Sequence, residues 1–366
     1  MRRALELASG GVGSVEPNPP VGAVVVDSAG ALLGEGRHER FGGPHAEIHA
    51  LKSAGERSRD ATLVVTLEPC RHSGKTGPCT DAVISAGVRR VVVGTVDPNP
   101  QMSGEGVARL RAAGIQVDVG VLRDECERLI APFAKWITTG LPWVHAKWAM
   151  TLDGKIAART GHSQWISNVT SRAVVHRLRG RMDAVIVGAE TAATDDPLLT
   201  ARPPGPRVAA RAVVSRSGRL RPDSQLALTA GDGPVLVTAV AGCCIESVEV
   251  LRAAGVEILE LPPAEAVAPS GARDADLLAL LRVLGGRDAV HVLVEGGGRL
   301  LGAFLDAGLI DEFHVFIAPK LVGGSQSATP MGGLGRESIS DRYDLENVSM
   351  DLLDGDVYIH GTRQRP

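Results

Sequence analysis

"PHAEIHALKSAGERSRDATLVVTLEPCRHSGKTGPC", residues 44–79, sets the fold of the chain's first third. "HAEIHALKSAG" has apolar residues at helical spacing and stops at Gly55, a natural helix terminator. "ATLVVTL" is rich in β-branched residues and reads as a strand; after a glycine-rich loop, "TDAVISAG" returns to helical spacing. Working outward, "RRALELA" reads as a short helix, and "VGAVVVDSAGALLGEG" as two strands around a turn at Asp27 to Gly30. "VRRVVVGTV", "GEGVARLRAAG" and "IQVDVGVL" follow as strand, helix and strand. Such alternation predicts an α/β sandwich around a largely parallel sheet.

The alternation pauses at "APFAKWITTGLPWV", where Gly140 and Pro142 break the chain, so the boundary is expected between residues 1–141 and 142–366. Beyond it "VHAKWAM", "DAVIVGAET", "RVAARAVVS", "GPVLVTAV", "VEILEL", "DADLLALLRVLGG", "AVHVLVEGGG", "RLLGAFLDAG" and "DEFHVFIAP" predict a second α/β domain with its own sheet. "RPPGPR" and "LPPAEAVAPSGARDAD" read as surface loops, and neither repeats nor heptads are present.

At 366 residues the chain is too long for one typical core and comfortable for two. Aromatic residues make up only 3% of it, so the cores must be built from Val, Leu, Ile and Ala. A formal charge of −3 gives no basic footprint and argues against nucleic acid as a partner. No apolar run is long enough to span a bilayer, and Glu6 and the glycines of "MRRALELASGG" interrupt any signal-like stretch. The cytoplasm is therefore the expected compartment. Five cysteines in such a chain do not make a disulfide framework; Cys126, Cys243 and Cys244 read as small structural side chains.

Cys70 and Cys79 differ because they share the opening stretch with His45 and Glu47. One imidazole and two thiolates are a ligand set that zinc prefers, and three protein ligands leave the fourth tetrahedral position open. Cys79 is expected at a helix start, where a thiolate is favoured. Glu47 supplies the proton carrier that an open zinc site requires. A non-ligating Glu in H-x-E with a P-C pair downstream is the arrangement of zinc nucleobase deaminases, although eight residues between the cysteines exceed the usual two. His49, four residues after His45, gives an H-x-x-x-H pair, but a metalloprotease needs Glu where Ala46 stands. A structural site with His49 or His72 as fourth ligand is the other rival, and it leaves Glu47 without a task. The loop "RHSGKTG" reads either as solvated or, with Lys75 and Thr76, as a phosphate grip. Asn18, between prolines, reads as a turn residue just before a strand that leads to the site.

These motifs together, "PNPPVGAVVV", "GEGRH", "PHAEIHAL", "VTLEPCRHSGKTGPC" and "DPNP", resemble the deaminase half of the bifunctional riboflavin-biosynthesis deaminase/reductases. "KWAMTLDGKIA", "SQWIS", "LRGRMDAVIVGAETAATDDPLLTAR", "VEGGGRLLGAF" and "DEFHVFIAPKLVGG" resemble their reductase half, in order and over nearly the whole chain. The resemblance implies a cytidine-deaminase-like α/β/α domain followed by a dihydrofolate-reductase-like α/β domain. It implies hydrolytic removal of an amino group from a diaminopyrimidine ribose phosphate, then NADPH-dependent reduction of ribosyl to ribityl. By motif, His45, Cys70 and Cys79 would bind Zn2+, Glu47 would shuttle protons, and Asn18, His38, His72 and Lys75 would contact the deaminase substrate. Ala149, Trp165, Thr191, Asp195, Gly297 and Gly298 would line the NADPH site, and Lys147, Ser163, Arg179, Leu199, Arg202 and Glu295 would hold the reductase substrate. Guanidinium forks match phosphate, which makes Arg179 and Arg202 the expected phosphate partners. A homodimer or higher homo-oligomer is also implied.

Read without the resemblance, the second half says less. "EGGG" between strand and helix suits a phosphate but equally a tight turn, Trp165 reads as a core aromatic, and Asp195–Asp196 as a turn before Pro197. Three features depart from the family's pattern: Gly77 stands where a proline is more usual, Ser215 where an Asp is common, and the chain begins almost at its first helix. Two rivals stay open: a deaminase with a decayed reductase half, and a zinc-stabilised nucleotide-binding protein without turnover.

Overall fold

Apolar residues run almost without interruption along the three central strands of the first half because both faces of its sheet are covered there. In the computed structural model, which describes residues 1–71, 77–242, 248–267 and 273–364, the chain forms two compact units, Met1–Leu141 and Pro142–Pro366. The first unit runs α1 (Arg2–Ser9), β1 (Gly22–Val26), β2 (Leu32–Arg37), α2 (Ala46–Ala54), β3 (Thr62–Leu67), α3 (Cys79–Ser85), β4 (Arg90–Thr95), α4 (Glu105–Ala112), β5 (Gln116–Val119) and α5 (Arg123–Thr139). Its sheet order is β2-β1-β3-β4-β5, with β3, β4 and β5 parallel and β1 antiparallel to both neighbours.

Alternation along the strands feeds two cores. Ala23, Val25, Leu63, Val65, Val91 and Val93 pack with Ala46, Ala50 and Val83 on one face; Val24, Val64 and Val92 pack with Ala4 on the other. The glycines of "GEG" have a packing reason. A Cβ on Gly34 would lie 2.5 Å from the Ala54 backbone nitrogen, and one on Gly36 would lie 2.5 Å from that of Ala50. Only glycine lets α2 lie so close on β2, and α2 carries His45 at its N-cap. The pause expected near the boundary is in fact the second half of α5, which continues through Pro132 to Gly140, where φ is 71°. Pro132 marks a break in most helices, but here it stands mid-helix.

The second unit contains β6 (Trp143–Thr151), α6 (Val169–Arg179), β7 (Ala184–Gly188), α7 (Ala189–Asp195), β8 (Ala210–Val214), α8 (Gln225–Leu228), β9 (Val235–Val240), α9 (Val248–Ala253) and β10 (Val256–Leu261). It continues with β11 (Pro263–Val267), β12 (Arg273–Ala275), α10 (Leu277–Gly285), β13 (His291–Val294), α11 (Gly298–Asp306), β14 (Glu312–Ala318), β15 (Leu345–Leu353) and β16 (Asp356–Arg363). The nine-stranded sheet has the order β10-β9-β8-β7-β13-β6-β14-β16-β15. It is parallel from β10 to β14, and β16 and β15 add an antiparallel edge. Two expectations shift here. The proline-rich segment expected as a loop contains a short antiparallel pair, β11 and β12, and the final hairpin β15–β16 adds strands that the sequence reading did not include. No helix among the described residues is long and apolar enough to cross a membrane.

Candidate active sites

In the first unit, β3 ends just before Cys70, α3 begins at Cys79, and α2 begins after His45. The Cys79 backbone N–H donates to Cys70 Sγ at 3.4 Å and the Thr80 N–H to the Cys70 carbonyl at 3.1 Å, which pinches the loop ends together. His45 Nδ1 then lies 3.2 Å from Cys79 Sγ and 3.5 Å from Cys70 Sγ. These three donor atoms all fall within 4.8 Å of one another. Two sulfurs and one imidazole nitrogen converging in this way fit a zinc ion. The Cys70 thiol is held far down, at about 4, by a hydrogen bond from Cys79 and, against the penalty of burial, by His45; Cys79 keeps the shared proton and is pushed up.

Glu47 lies in the first turn of α2, only 3% exposed, and burial pushes its carboxyl up to about 7. His38 is buried at the end of β2. Its ring meets that of His45 edge-on at 5.2 Å, its Nδ1 is 3.0 Å from the Pro44 carbonyl, and its Nε2 is 3.2 Å from the Asn18 amide nitrogen. With Nδ1–H donating to Pro44, Nε2 is left to accept from Asn18. Both nitrogens are thus used within the protein. His49 does not join the cluster: its Cβ is packed where a Cβ on Gly36 would be. His72 and Lys75 lie outside the described residues, as do Cys243 and Cys244; Cys126 is buried, with its sulfur in the space that a Gly94 side chain would need.

In the second unit a cavity of about 2120 Å³ opens at the carboxyl ends of β6, β7, β8 and β13. Ligands of open α/β sheets collect at these strand ends. Single-ligand pockets reach ~1,000 Å³, so there is room here for two ligands together. The cavity is lined by Lys147, Ala149, Ser163, Trp165, Arg179 and Thr191, and by Asp195, Leu199, Arg202, Glu295, Gly297 and Gly298.

Glu295 is the centre of its polar wall. Lys147 Nζ lies 3.2 Å from Oε2, and Arg179 donates from Nε to Oε1 at 2.6 Å and from Nη2 to Oε2 at 3.1 Å. Burial alone would raise this carboxyl, but Arg179 and Lys147 override it and hold the acid at about 2. Arg179, expected at the phosphate, turns its fork to Glu295, and Arg202 is exposed. Ser163 donates to Asp195 at 3.2 Å, while Asp196 instead accepts from the Gln225 N–H at the start of α8, so the two aspartates divide between site and scaffold. Thr191 Oγ1 accepts from the Gly297 N–H at 3.2 Å. Gly298 answers a close approach, because a Cβ there would meet the Thr329 carbonyl oxygen at 2.2 Å. Trp165 is 64% exposed rather than a core aromatic, with the Arg172 guanidinium 4.6 Å above its ring. Leu199 is buried at φ 57°, in the left-handed region that leucine rarely adopts. Ser215 closes a turn by accepting from the Arg219 N–H, and among the described residues nothing lies within 4 Å of where a Gly77 side chain would start.

Arg172 and His176 also line the cavity and were not singled out in the sequence. A signal was present: residues 172, 175, 176 and 179 fall at i, i+3, i+4 and i+7, one face of α6, behind the Asn168 N-cap whose side chain accepts from the Ser171 N–H.

Comparison with known proteins agrees over both units. Residues 1–95 match the cytidine and deoxycytidylate deaminase zinc-binding region, and residues 142–359 match the RibD C-terminal domain. The riboflavin biosynthesis protein RibD of Aquifex aeolicus is 43% identical over 98% of this chain and 96% of its own. The chain belongs to the RibD family. RibD of Escherichia coli K12 is 37% identical over 98% of this chain and 97% of its own. Among solved structures, Acinetobacter baumannii RibD covers the whole chain with 98% of its own length, at a TM-score of 0.84 and 34% identity. The deaminase/reductase of Thermotoga maritima covers it with 97% of its own, at 0.83 and 38%. The fold is accordingly a cytidine-deaminase-like domain joined to a RibD reductase domain, and the protein is a bifunctional enzyme of riboflavin biosynthesis that uses zinc and NADPH and acts on small molecules.

Proposed function

We propose that residues 1–141 deaminate 2,5-diamino-6-(5-phosphoribosylamino)pyrimidin-4-one and that residues 142–366 reduce the ribosyl chain of the resulting 5-amino-6-(5-phosphoribosylamino)uracil to ribityl. The observation that carries the first assignment is the convergence of His45, Cys70 and Cys79 beside a buried Glu47. His45 Nδ1 and the two thiolates would hold the zinc, which when bound would supply the Lewis acidity that makes water nucleophilic at neutral pH. Glu47 takes the proton from the attacking water and passes it to the departing amine; the ring C–N bond breaks, a C–O bond replaces it, and ammonia leaves. Asn18 presents its amide to the pyrimidine, and His38 fixes Asn18 from behind rather than touching substrate. His72 and Lys75 are assigned to the substrate phosphate from the motif alone.

In the second unit NADPH, when bound, would supply the hydride for C1′. Ala149, Trp165, Thr191, Asp195, Gly297 and Gly298 form the cofactor side of the cavity. Lys147, Ser163, Leu199, Arg202 and Glu295 form the substrate side, with Arg202 toward the phosphate and Arg179 holding Glu295 in place. Arg179 is thus a positioning residue. The exposed edge strand β15, with Met350 and Leu352 71% and 75% exposed, supports a homo-oligomer joined through this strand. The chemistry is that of a cytoplasmic enzyme.

Glu47→Gln tests the first assignment. It should keep zinc at the wild-type level, lose deamination by ~10²-fold or more, and still consume NADPH when given the deaminated substrate. Deamination at the wild-type rate by the zinc-loaded variant would remove Glu47 from the reaction.

A further inference from the structure

The second sheet carries a row of polar side chains that neither reaction uses. His291 of β13, His145 of β6, Glu312 and His314 of β14, and His360 of β16 lie on strands that are consecutive in the sheet. Register sets His145 opposite Glu312 and His314 opposite His360. The side chains of His145 and His314 are 6% and 3% exposed, and that of Glu312 16%. Three polar groups buried together in a sheet core are costly unless they hold each other or something else.

Their spacing points to something else. His145 Nδ1 is 3.2 Å from His314 Nε2 and 3.4 Å from Glu312 Oε2, and His314 Nε2 is 3.3 Å from Glu312 Oε1. Zinc–ligand bonds of ~2.05 Å set the edges of a tetrahedron at about 3.3 Å. We propose that His145 Nδ1, His314 Nε2 and the Glu312 carboxylate form a second divalent-metal site, of the zinc class, that joins β6 to β14. The surrounding hydrogen bonds suit this role. His145 Nε2 is 3.1 Å from His291 Nδ1 and His314 Nδ1 is 2.8 Å from the Tyr358 hydroxyl, so each imidazole can donate outward and leave a lone pair to face inward. Trp143 Nε1 donates to Glu312 Oε2 at 2.7 Å, and His360 Nε2 lies 2.6 Å from Oε1, which orients the carboxylate. The chain contains its own standard of comparison: the His45–Cys70–Cys79 donors, a site of different composition, converge at 3.2 and 3.5 Å. The competing arrangement closes the row without metal, with His145 Nδ1–H shared between His314 and Glu312.

Atomic emission on full-length protein, saturated with zinc and then dialysed, distinguishes the two. The expected result is two zinc ions per wild-type chain and one in Glu312→Gln, in His314→Gln and in the Cys70→Ser/Cys79→Ser variant, with deamination retained by the first two. Cobalt provides a second reading that needs no change to the sheet. In Cys70→Ser/Cys79→Ser it should give ligand-field bands without the thiolate charge-transfer absorption seen in the wild type. One zinc per wild-type chain, two that persist in Glu312→Gln, or no cobalt bound by the cysteine variant would overturn the proposal.

Discussion

Glu295 is a carboxylate enclosed by protein and kept charged by two cations from different elements, Arg179 of α6 and Lys147 of β6. Removing one partner of such a buried set leaves charge uncompensated, a loss of ~3–5 kcal/mol. Arg179→Met should therefore lower the unfolding free energy of the second unit by about that amount in denaturant melts and abolish reduction, while the deaminase keeps its rate. The pH dependence has a definite sign. A carboxyl lowered to about 2 contributes its full stabilisation above the unfolded value of ~4.3, and loses it as pH falls toward 2. Glu295→Gln should accordingly be less stable than wild type at pH 7, and the gap should narrow progressively below pH ~4. A gap that stays constant through that range would show that folding does not lower the Glu295 carboxyl.

At the scale of elements, the close approach of α2 to β2 sets the zinc site, because His45 is the N-cap of that helix. Gly36→Ala would bring a methyl carbon to 2.4 Å from His49 Cβ and 2.7 Å from the Ala46 carbonyl. Overpacking of this kind costs ~1–3 kcal/mol. The expected result is a lower melting temperature and zinc that dissociates faster into a chelator, with unchanged NADPH oxidation on the deaminated substrate. Most of these elements were legible from the sequence, for a physical reason. Strands β1, β3 and β4 of the first unit are buried on both faces and bounded by turns, so their β-branched runs stand out. Asp27, which caps its turn by accepting from the Ala29 and Ala31 N–H groups, is the residue type that such a turn requires. What escaped notice falls into two kinds. The β15–β16 hairpin did carry a sign, Asp354–Gly355, whose φ values of 49° and 95° are those that an Asp-Gly hairpin turn favours. The His145–Glu312–His314 cluster carried less, because His145 comes from a strand far in sequence from the Glu312–His314 pair and meets it only through sheet order. The metal triad of the first unit lay within one stretch, whereas the cavity residues of the second became a site only through the family's motifs.

At the scale of the molecule, two chemically unrelated sites share one chain, and each depends on its own unit. Chelation of zinc should stop ammonia release and leave reduction of the deaminated substrate at half or more of its rate. The exposed apolar edge of β15 belongs to the same scale: Met350→Lys/Leu352→Lys should convert an oligomer to a smaller species in sedimentation, with deamination retained. The central claim, deamination followed by reduction, is tested most directly by supplying the diaminopyrimidinone ribose phosphate with and without NADPH while ammonia and NADPH absorbance are followed together. The account predicts ammonia in both cases and NADPH loss that lags behind ammonia. NADPH consumed without any ammonia release, or ammonia with no NADPH loss in zinc-loaded, folded protein, would contradict it.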